Sequence, residues 1–549
     1  MKILIIGAVA AGTSAAAKAR RNSEDAEIKI YEMDGDISYS ACGLPYYIGG
    51  EIEKLDKLVP RDPEFFKSKY NVDVLTGHKV LNINPDRKII EVKNLATNEV
   101  FTENYDKLII STGAIPIVPS IQGINKKNVF MLRNVKSAQL IKTFINETSP
   151  KRALVIGSGF IGLEMVENLK SIGIEVTVVE MEDHLMKPLD NDISIYIKDI
   201  LTQKGVKVYL DEAVKELVGG EYANKAILKS DTALDTELII VAAGIRPNVE
   251  LASKAGIDLG ITGAIKVNSK METSIRDIYA CGDCVEGFSV ITGKTVYRPL
   301  GSTANKMGRI AGDQVTRGDL EFRGILGTGI FKLFDYTVAQ TGLTEREALL
   351  EGYEVSVCHN IKPDKPDYFN GEEMLIKAVA DRNTGKLLGV QIVGKGGVDK
   401  RIDVFATAIT FGGKVQDLFH LDLAYAPPFS TTKDPVMYTG MILTNDLERG
   451  RKLITAQELA KKVENNESIT IIDARIDKQY QQSQIDGSIN MPPERLRENL
   501  DTLDKENLTV TYCNKGVTGN AAQNILINRG FKKVYNLSGG HKNYFNTKK

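Results

Sequence analysis

Dense apolar runs that break at glycine recur along the N-terminal half of the chain. They are rich in β-branched residues, which predicts strands running into glycine turns. Lys2–Ile6 runs into Gly7-Ala8-Val9-Ala10-Ala11-Gly12 and an alanine-rich helix reaching Arg20, and Glu27–Tyr31 predicts a second strand closing at Glu32. The pattern returns with a strand at 153–156, the turn Gly157-Ser158-Gly159-Phe160-Ile161-Gly162, a helix over 163–172, and the strand Glu175–Val179 ending at Glu180. Residues 107–116 and 239–248 each predict a strand entering a glycine turn, at Gly113 and Gly244, suited to crossings between domains. Residues 273–283 predict a strand ending at Gly282-Asp283. Beyond the charged stretch 448–452, the runs 468–472, 485–491, Leu508–Tyr512 and 533–537 predict the strands of a further small α/β unit.

A strand, a glycine turn and a helix together present free N–H groups to a diphosphate, and a carboxylate ending the second strand meets ribose hydroxyls. Gly7, Ala8, Ala10, Ala11, Gly12 and Glu32 therefore form one candidate nucleotide cradle, with Val9 in place of the usual middle glycine. Gly157, Gly159, Phe160, Ile161, Gly162 and Glu180 form a second, with Gly244 beyond it. Glu180 is followed by Met181, Glu182 and Asp183, with no Arg or Lys to meet a 2′-phosphate, which favours NADH; His184 and Lys187 leave NADPH open. Asp283 is placed to hydrogen-bond a flavin ribityl chain.

The 549 residues carry 70 basic and 71 acidic side chains, so no bulk charge selects nucleic acid or an anionic membrane. No apolar run spans a bilayer. Five cysteines without regular spacing suggest neither a disulfide framework nor a metal site, and a reducing cytoplasm suits them. The opening stretch to Lys18 resembles a leader peptide, but its glycine spacing and Glu32 explain it better as a nucleotide site.

Two cysteines stand in reactive settings. Cys42, in Ser40-Ala41-Cys42-Gly43-Leu44-Pro45, precedes a helix predicted over 43–48, whose dipole would lower its pKa. A single cysteine beside a flavin cycles through a mixed disulfide, persulfide or sulfenic acid. Cys513 ends a strand and is followed by Asn514-Lys515-Gly516-Val517-Thr518-Gly519 and a helix, an anion cradle around a thiolate with Lys515 as its one cation. Cys281 and Cys284 flank Gly282-Asp283 and read as structural. Cys358 has no supporting context, and His359 reads as a surface residue.

Residues 1–445 resemble the pyridine nucleotide-disulfide oxidoreductase family, and the segment from Cys42 through Gly50 resembles its coenzyme A-disulfide reductase branch. The C-terminal segment is similar to a rhodanese domain, with Cys513 as sulfur carrier and Lys515 and Gly516 in its loop. The resemblance implies an α/β chain with an FAD domain at 1–113 and 245–321, an NAD(P)H domain at 114–244 and an α+β dimerisation domain at 322–445. A linker at 446–455 and a rhodanese-like domain at 456–549 would follow. It adds Met33, Ser40, Thr112 and Gly113 to the FAD contacts. It assigns Ser14, Lys18, Arg21, Ser38 and Lys69 to coenzyme A, with a solvated helix face as the alternative for Lys18, Arg20 and Arg21. In a homodimer, Tyr425 and Tyr368 would reach Cys42 of the partner subunit. The fused sulfur carrier favours reduction of coenzyme A persulfide over the disulfide alone. An NADH oxidase or peroxidase using a Cys42 sulfenic acid, and a sulfurtransferase centred on Cys513, remain alternatives.

Overall fold

The computed structural model describes residues 1–547 and divides into two compact units. The first comprises Met1–Asp183 and Lys204–Gly327. Its leading sheet is parallel throughout, in the order Ile278–Ala280, Lys107–Ile110, Lys2–Ile6, Glu27–Tyr31, Asp73–Leu75. Ile3, Leu4 and Ile5 are fully buried, as strands covered on both faces require. The helix Ala11–Asn22 lies against Gly301–Gln314, and small residues make that approach possible. A Cβ at Gly308 or Gly312 would collide with the carbonyl of Ala11 or Ala15.

A second parallel sheet runs Lys207–Tyr209, Glu175–Val179, Arg152–Ile156, Leu238–Val241, Val129–Phe130. Ala114–Pro116 pairs antiparallel with Ile245–Pro247, so the chain crosses between the two nucleotide folds on a two-stranded ribbon.

The second unit comprises His184–Gln203 and the chain from Thr328 onward. Its antiparallel sheet is ordered Gly329–Leu333, Tyr336–Gly342, Leu387–Gly394, Glu373–Asp381, Val355–Pro363. The C-terminal sheet is parallel, in the order Leu453–Ile454, Val534–Leu537, Leu508–Tyr512, Ile469–Asp473, Ser488–Asn490.

Two features depart from the sequence reading. The helix Asn191–Gln203, inside the span assigned to the NAD(P)H domain, packs with the second unit. Charge explains it: Asp190 and Asp192 lie 3.2 and 2.9 Å from the buried Lys377 ammonium. Burial alone would raise Asp192, but Lys377 and a hydrogen bond from His359 hold it well below the usual carboxylate range. The stretch read as a linker is not a free tether. The helix Pro435–Glu448 enters it, and buried Asp446 accepts hydrogen bonds from Ser356 Oγ (2.5 Å) and Leu453 N (3.0 Å). No helix among the described residues is long and apolar enough to cross a membrane.

Candidate functional sites

The first unit builds two cradles on one plan. A Cβ at Gly7 would collide with the Ser111 carbonyl, and one at Gly12 with the Gly7 carbonyl, so strand, turn and helix close to backbone contact. The helix Ala11–Asn22 has no side-chain cap, leaving its first N–H groups for an anion. The buried Glu32 carboxylate accepts from Ala8 N (2.7 Å) and Asp34 N (3.0 Å). Burial raises its pKa against those two bonds. Ser38 adopts φ +50° and donates its N–H to Ala8 O at 2.8 Å. Met33 is exposed, and Ser40 N donates to Leu58 O. Thr112 Oγ1 donates to Asn248 O (2.6 Å), beside Gly113 at φ +68°. Gly282 (φ +84°), just before Asp283, packs so close to Ala11 that a Cβ there would meet the Ala11 side chain at 2.8 Å. These residues fit an FAD: an uncapped helix start, a carboxylate at the strand end and a second carboxylate beyond the glycine turn.

The second cradle repeats the scheme. Side chains at Gly157 and Gly162 would strike the Ala242 and Gly157 carbonyls, while Gly159 faces open space at the uncapped start of Phe160–Ser171, which also carries Ile161. Glu180 Oε2 accepts from Ser158 N (2.8 Å) and Ser158 Oγ (2.6 Å). Gly244 takes φ +101° at the opposing turn. The same fit serves a nicotinamide dinucleotide.

Cys42 lies in a 3₁₀ turn, Ala41–Gly43, ahead of the six-residue helix Leu44–Gly49. The expected lowering of its pKa is not found. Burial of the thiol's surroundings, with the charges of Glu164 and Asp283, pushes it up, although the residue reaches the surface. A turn this short offers little dipole, and burial together with the two carboxylates outweighs it. Glu164, on Phe160–Ser171, is itself raised to about 7 by burial and by Glu167. Burial raises Asp283 too, against the charge of Arg133. Glu164 and Arg133 were missed in sequence, since nothing local distinguishes either from a surface charge.

The proposed coenzyme A contacts are engaged within the fold. Ser14 Oγ donates to Asn305 Oδ1 (2.9 Å), and Lys18 pairs with Asp313 (2.9 Å). Arg21 and Lys69 are exposed and lie over the Tyr70 ring at 5.6 and 5.8 Å. Arg20 is no solvated face residue: it is buried and donates to backbone carbonyls that include Tyr70 (2.8 Å), Ala26 (2.7 Å) and Asn71 (2.9 Å). Cys281 and Cys284 are buried, and Cys284 Sγ donates to the Cys281 carbonyl at 3.3 Å.

In the second unit, Tyr368 is 73% exposed and Tyr425 48%. Cys513 is 6% exposed at the end of Leu508–Tyr512. Gly516 (φ +94°) opens the uncapped helix Val517–Asn528. The loop is held from the next helix, where His541 N donates to Cys513 O (2.8 Å) and Lys542 N to Asn514 O (3.1 Å). Arg475, paired with Asp473 at 2.7 Å, reaches Asn514 Oδ1 at 3.4 Å. Lys515, the loop's one cation, does not stand free: it pairs with Glu373, as does Lys542 from outside the loop. His359, read as a surface residue, is 3% exposed, with Nε2 2.7 Å from Asp192 Oδ2 and Nδ1 3.2 Å from Ser538 Oγ.

Residues 1–308 match the pyridine nucleotide-disulphide oxidoreductases, 329–435 the dimerisation domain of the same group, and 455–547 the rhodanese-like domain. The NAD(P)H coenzyme A polysulfide/persulfide reductase of Pyrococcus horikoshii is 36% identical over 444 residues, 80% of this chain and 98% of that protein. The crystal structure of reduced Bacillus anthracis CoADR-RHD is 40% identical and covers 100% of this chain and 98% of its own, with a TM-score of 0.97. An NAD-dependent persulfide reductase from A. fulgidus is 37% identical, covers 99% of this chain and 100% of its own, and has a TM-score of 0.92.

Proposed function

The chain belongs to the pyridine nucleotide-disulphide oxidoreductase family and is an oxidoreductase, and on that footing we propose that it reduces coenzyme A persulfide with NADH, yielding sulfide and coenzyme A. Coenzyme A disulfide is the second substrate. The observation that carries the reading is one lone thiol, Cys42, within the field of Asp283 in the first cradle and Glu164 on the helix of the second, in a chain that also holds Cys513 in an anion loop.

Cys42 attacks the inner sulfur of the persulfide, a Cys42–S–S–coenzyme A bond forms as hydrosulfide leaves, and two electrons later break that bond to release coenzyme A. Bound FAD, held by Gly7, Gly12, Glu32 and Asp283, supplies the route for two electrons from the nicotinamide to sulfur. Glu180 recognises the adenosine ribose of NADH, and the acidic run Glu182-Asp183 disfavours a 2′-phosphate. In a homodimer, Tyr425 of the partner subunit protonates or orients the leaving sulfur at Cys42, with Tyr368 of the partner subunit beside it. Cys513 accepts persulfide sulfur.

The test is anaerobic NADH oxidation with coenzyme A persulfide, with sulfide quantified. One sulfide per NADH supports the reading. NADH loss that begins only when oxygen is admitted, with no sulfide released, transfers the chain to the oxidase alternative.

A further inference from the structure

Lys362 lies near the end of the edge strand Val355–Pro363, in register with Met374 and one pair away from Glu373. Among the described residues no carboxylate acts on it as a partner, and its ammonium instead stands 4.0 Å from the centre of the Tyr438 ring. The rhodanese-like domain is fastened to this strand pair at two points. Ser538 Oγ accepts the His359 N–H at 2.7 Å, and Lys515 and Lys542 grip Glu373. Lys362 lies between these fastenings along the strand, and Lys515, which makes one of them, is two residues from Cys513, whose carbonyl accepts the His541 N–H.

The electrostatics agree with that placement. Burial, Lys515 and Lys433 all push the Lys362 ammonium down, while the Cys513 thiol acts in the opposite direction and favours its charged form. The other charges around Cys513 are already engaged: Arg475 with Asp473, and Lys515 and Lys542 with Glu373. His541 is held neutral-leaning, its pKa lowered by burial and by Arg475. A half-buried ammonium among like charges is costly unless an anion meets it.

We propose that Lys362, from the domain preceding the rhodanese-like unit, supplies the counter-charge for the Cys513 thiolate and its persulfide, so that the sulfur-carrying site is complete only across the docked domains. The inference rests on Cys513 being a sulfur carrier. In the step concerned, the Cys513 thiolate attacks the outer sulfur of an organic persulfide R–S–SH. The Cys513–S bond forms, the R–S–S bond breaks, R leaves as R–S⁻, and Cys513–S–SH gives its proton to solvent. No electrons are gained or lost overall. Lys362 acts as a positioning residue, opposing the negative charge that begins on Cys513 and ends on its terminal sulfur.

The test uses the full chain as wild type, Lys362→Met and Lys362→Arg. Iodoacetamide labelling of Cys513 is followed by mass spectrometry across pH, and persulfide loading from glutathione persulfide is measured in parallel. Lys362→Met is expected to slow Cys513 labelling at neutral pH about three- to tenfold and to move its profile to higher pH, as loss of one nearby opposite charge requires. Lys362→Arg is expected to restore both. Lys362→Gln gives the same comparison if the methionine weakens the fold, which the thermal midpoint monitors. A profile unchanged in Lys362→Met and Lys362→Gln, with the wild type loaded with sulfur, overturns this inference alone; so does a loss that arginine does not restore. Absence of persulfide on wild-type Cys513 overturns the sulfur-carrier reading and this inference with it.

Discussion

Cys42 and Cys513 are the same side chain in opposite surroundings. Cys42 reaches the surface in a 3₁₀ turn and feels two carboxylates, Glu164 and Asp283. Cys513 is buried in a loop whose neighbours, Lys362, Lys515, Arg475 and His541, are basic. The difference separates two tasks. A thiol whose pKa is raised by burial and by nearby carboxylates is quiet until substrate and cofactor change its field, whereas a loop of uncapped N–H groups with basic side chains beside it suits a sulfur anion that must wait for transfer.

The largest expected effect breaks the comparison at one end. Cys42→Ser should lower NADH-linked reduction of coenzyme A disulfide by about a thousandfold or more, as loss of a covalent nucleophile does. Cys513→Ser should leave that rate intact, and steady-state assays of the two variants check both. Next, Tyr425→Phe should lower kcat about a hundredfold, the scale of a lost general acid, with Tyr368→Phe costing less. Titrating dimer variants that pair Tyr425→Phe with Cys42→Ser tests whether the tyrosine serves the partner subunit.

Smaller effects sharpen the contrast. Glu164 ionises as pH rises through about 7, and its negative charge then opposes formation of the Cys42 thiolate. Glu164→Gln should therefore speed Cys42 alkylation just above neutrality by about three- to tenfold. The docking contact is read on stability rather than on rate: Ser538→Ala leaves the buried His359 N–H without an acceptor and should cost about 1–3 kcal/mol, measured by denaturant unfolding. The neighbouring contact of Asp192 with Lys377 and the His359 ring has a pH signature. Because Asp192 is depressed in the folded chain, its stabilising contribution is present above the ordinary carboxylate range and is lost as pH falls through that range toward its folded value.

The cradles were legible because they depend on local order: strand, glycine turn, helix and terminal carboxylate follow one another in sequence, Glu32 closing the unit opened at Gly7 and Glu180 the unit opened at Gly157. Cys513 was legible for the same reason, sitting between a strand and an uncapped helix. What escaped depends on distance along the chain. Glu164 acts on Cys42 from a helix that begins more than a hundred residues later. His359 reads as an exposed histidine beside Cys358 until Asp192 and Ser538 close around it. The helix Asn191–Gln203 follows the second cradle in sequence yet is drawn to Lys377, which no periodicity within the helix reports. The pKa of Cys42 was misjudged because the helix-start argument counted backbone dipoles and not the burial and the carboxylates brought in by folding.

The most direct test of the division of labour is to give coenzyme A persulfide and NADH, without oxygen, to wild type, Cys42→Ser and Cys513→Ser, measuring sulfide, NADH and the mass of each cysteine peptide. The account predicts that Cys42→Ser releases no NADH-linked sulfide yet still gains one sulfur on Cys513, while Cys513→Ser still couples NADH to sulfide release. NADH-linked sulfide release persisting in Cys42→Ser would contradict it.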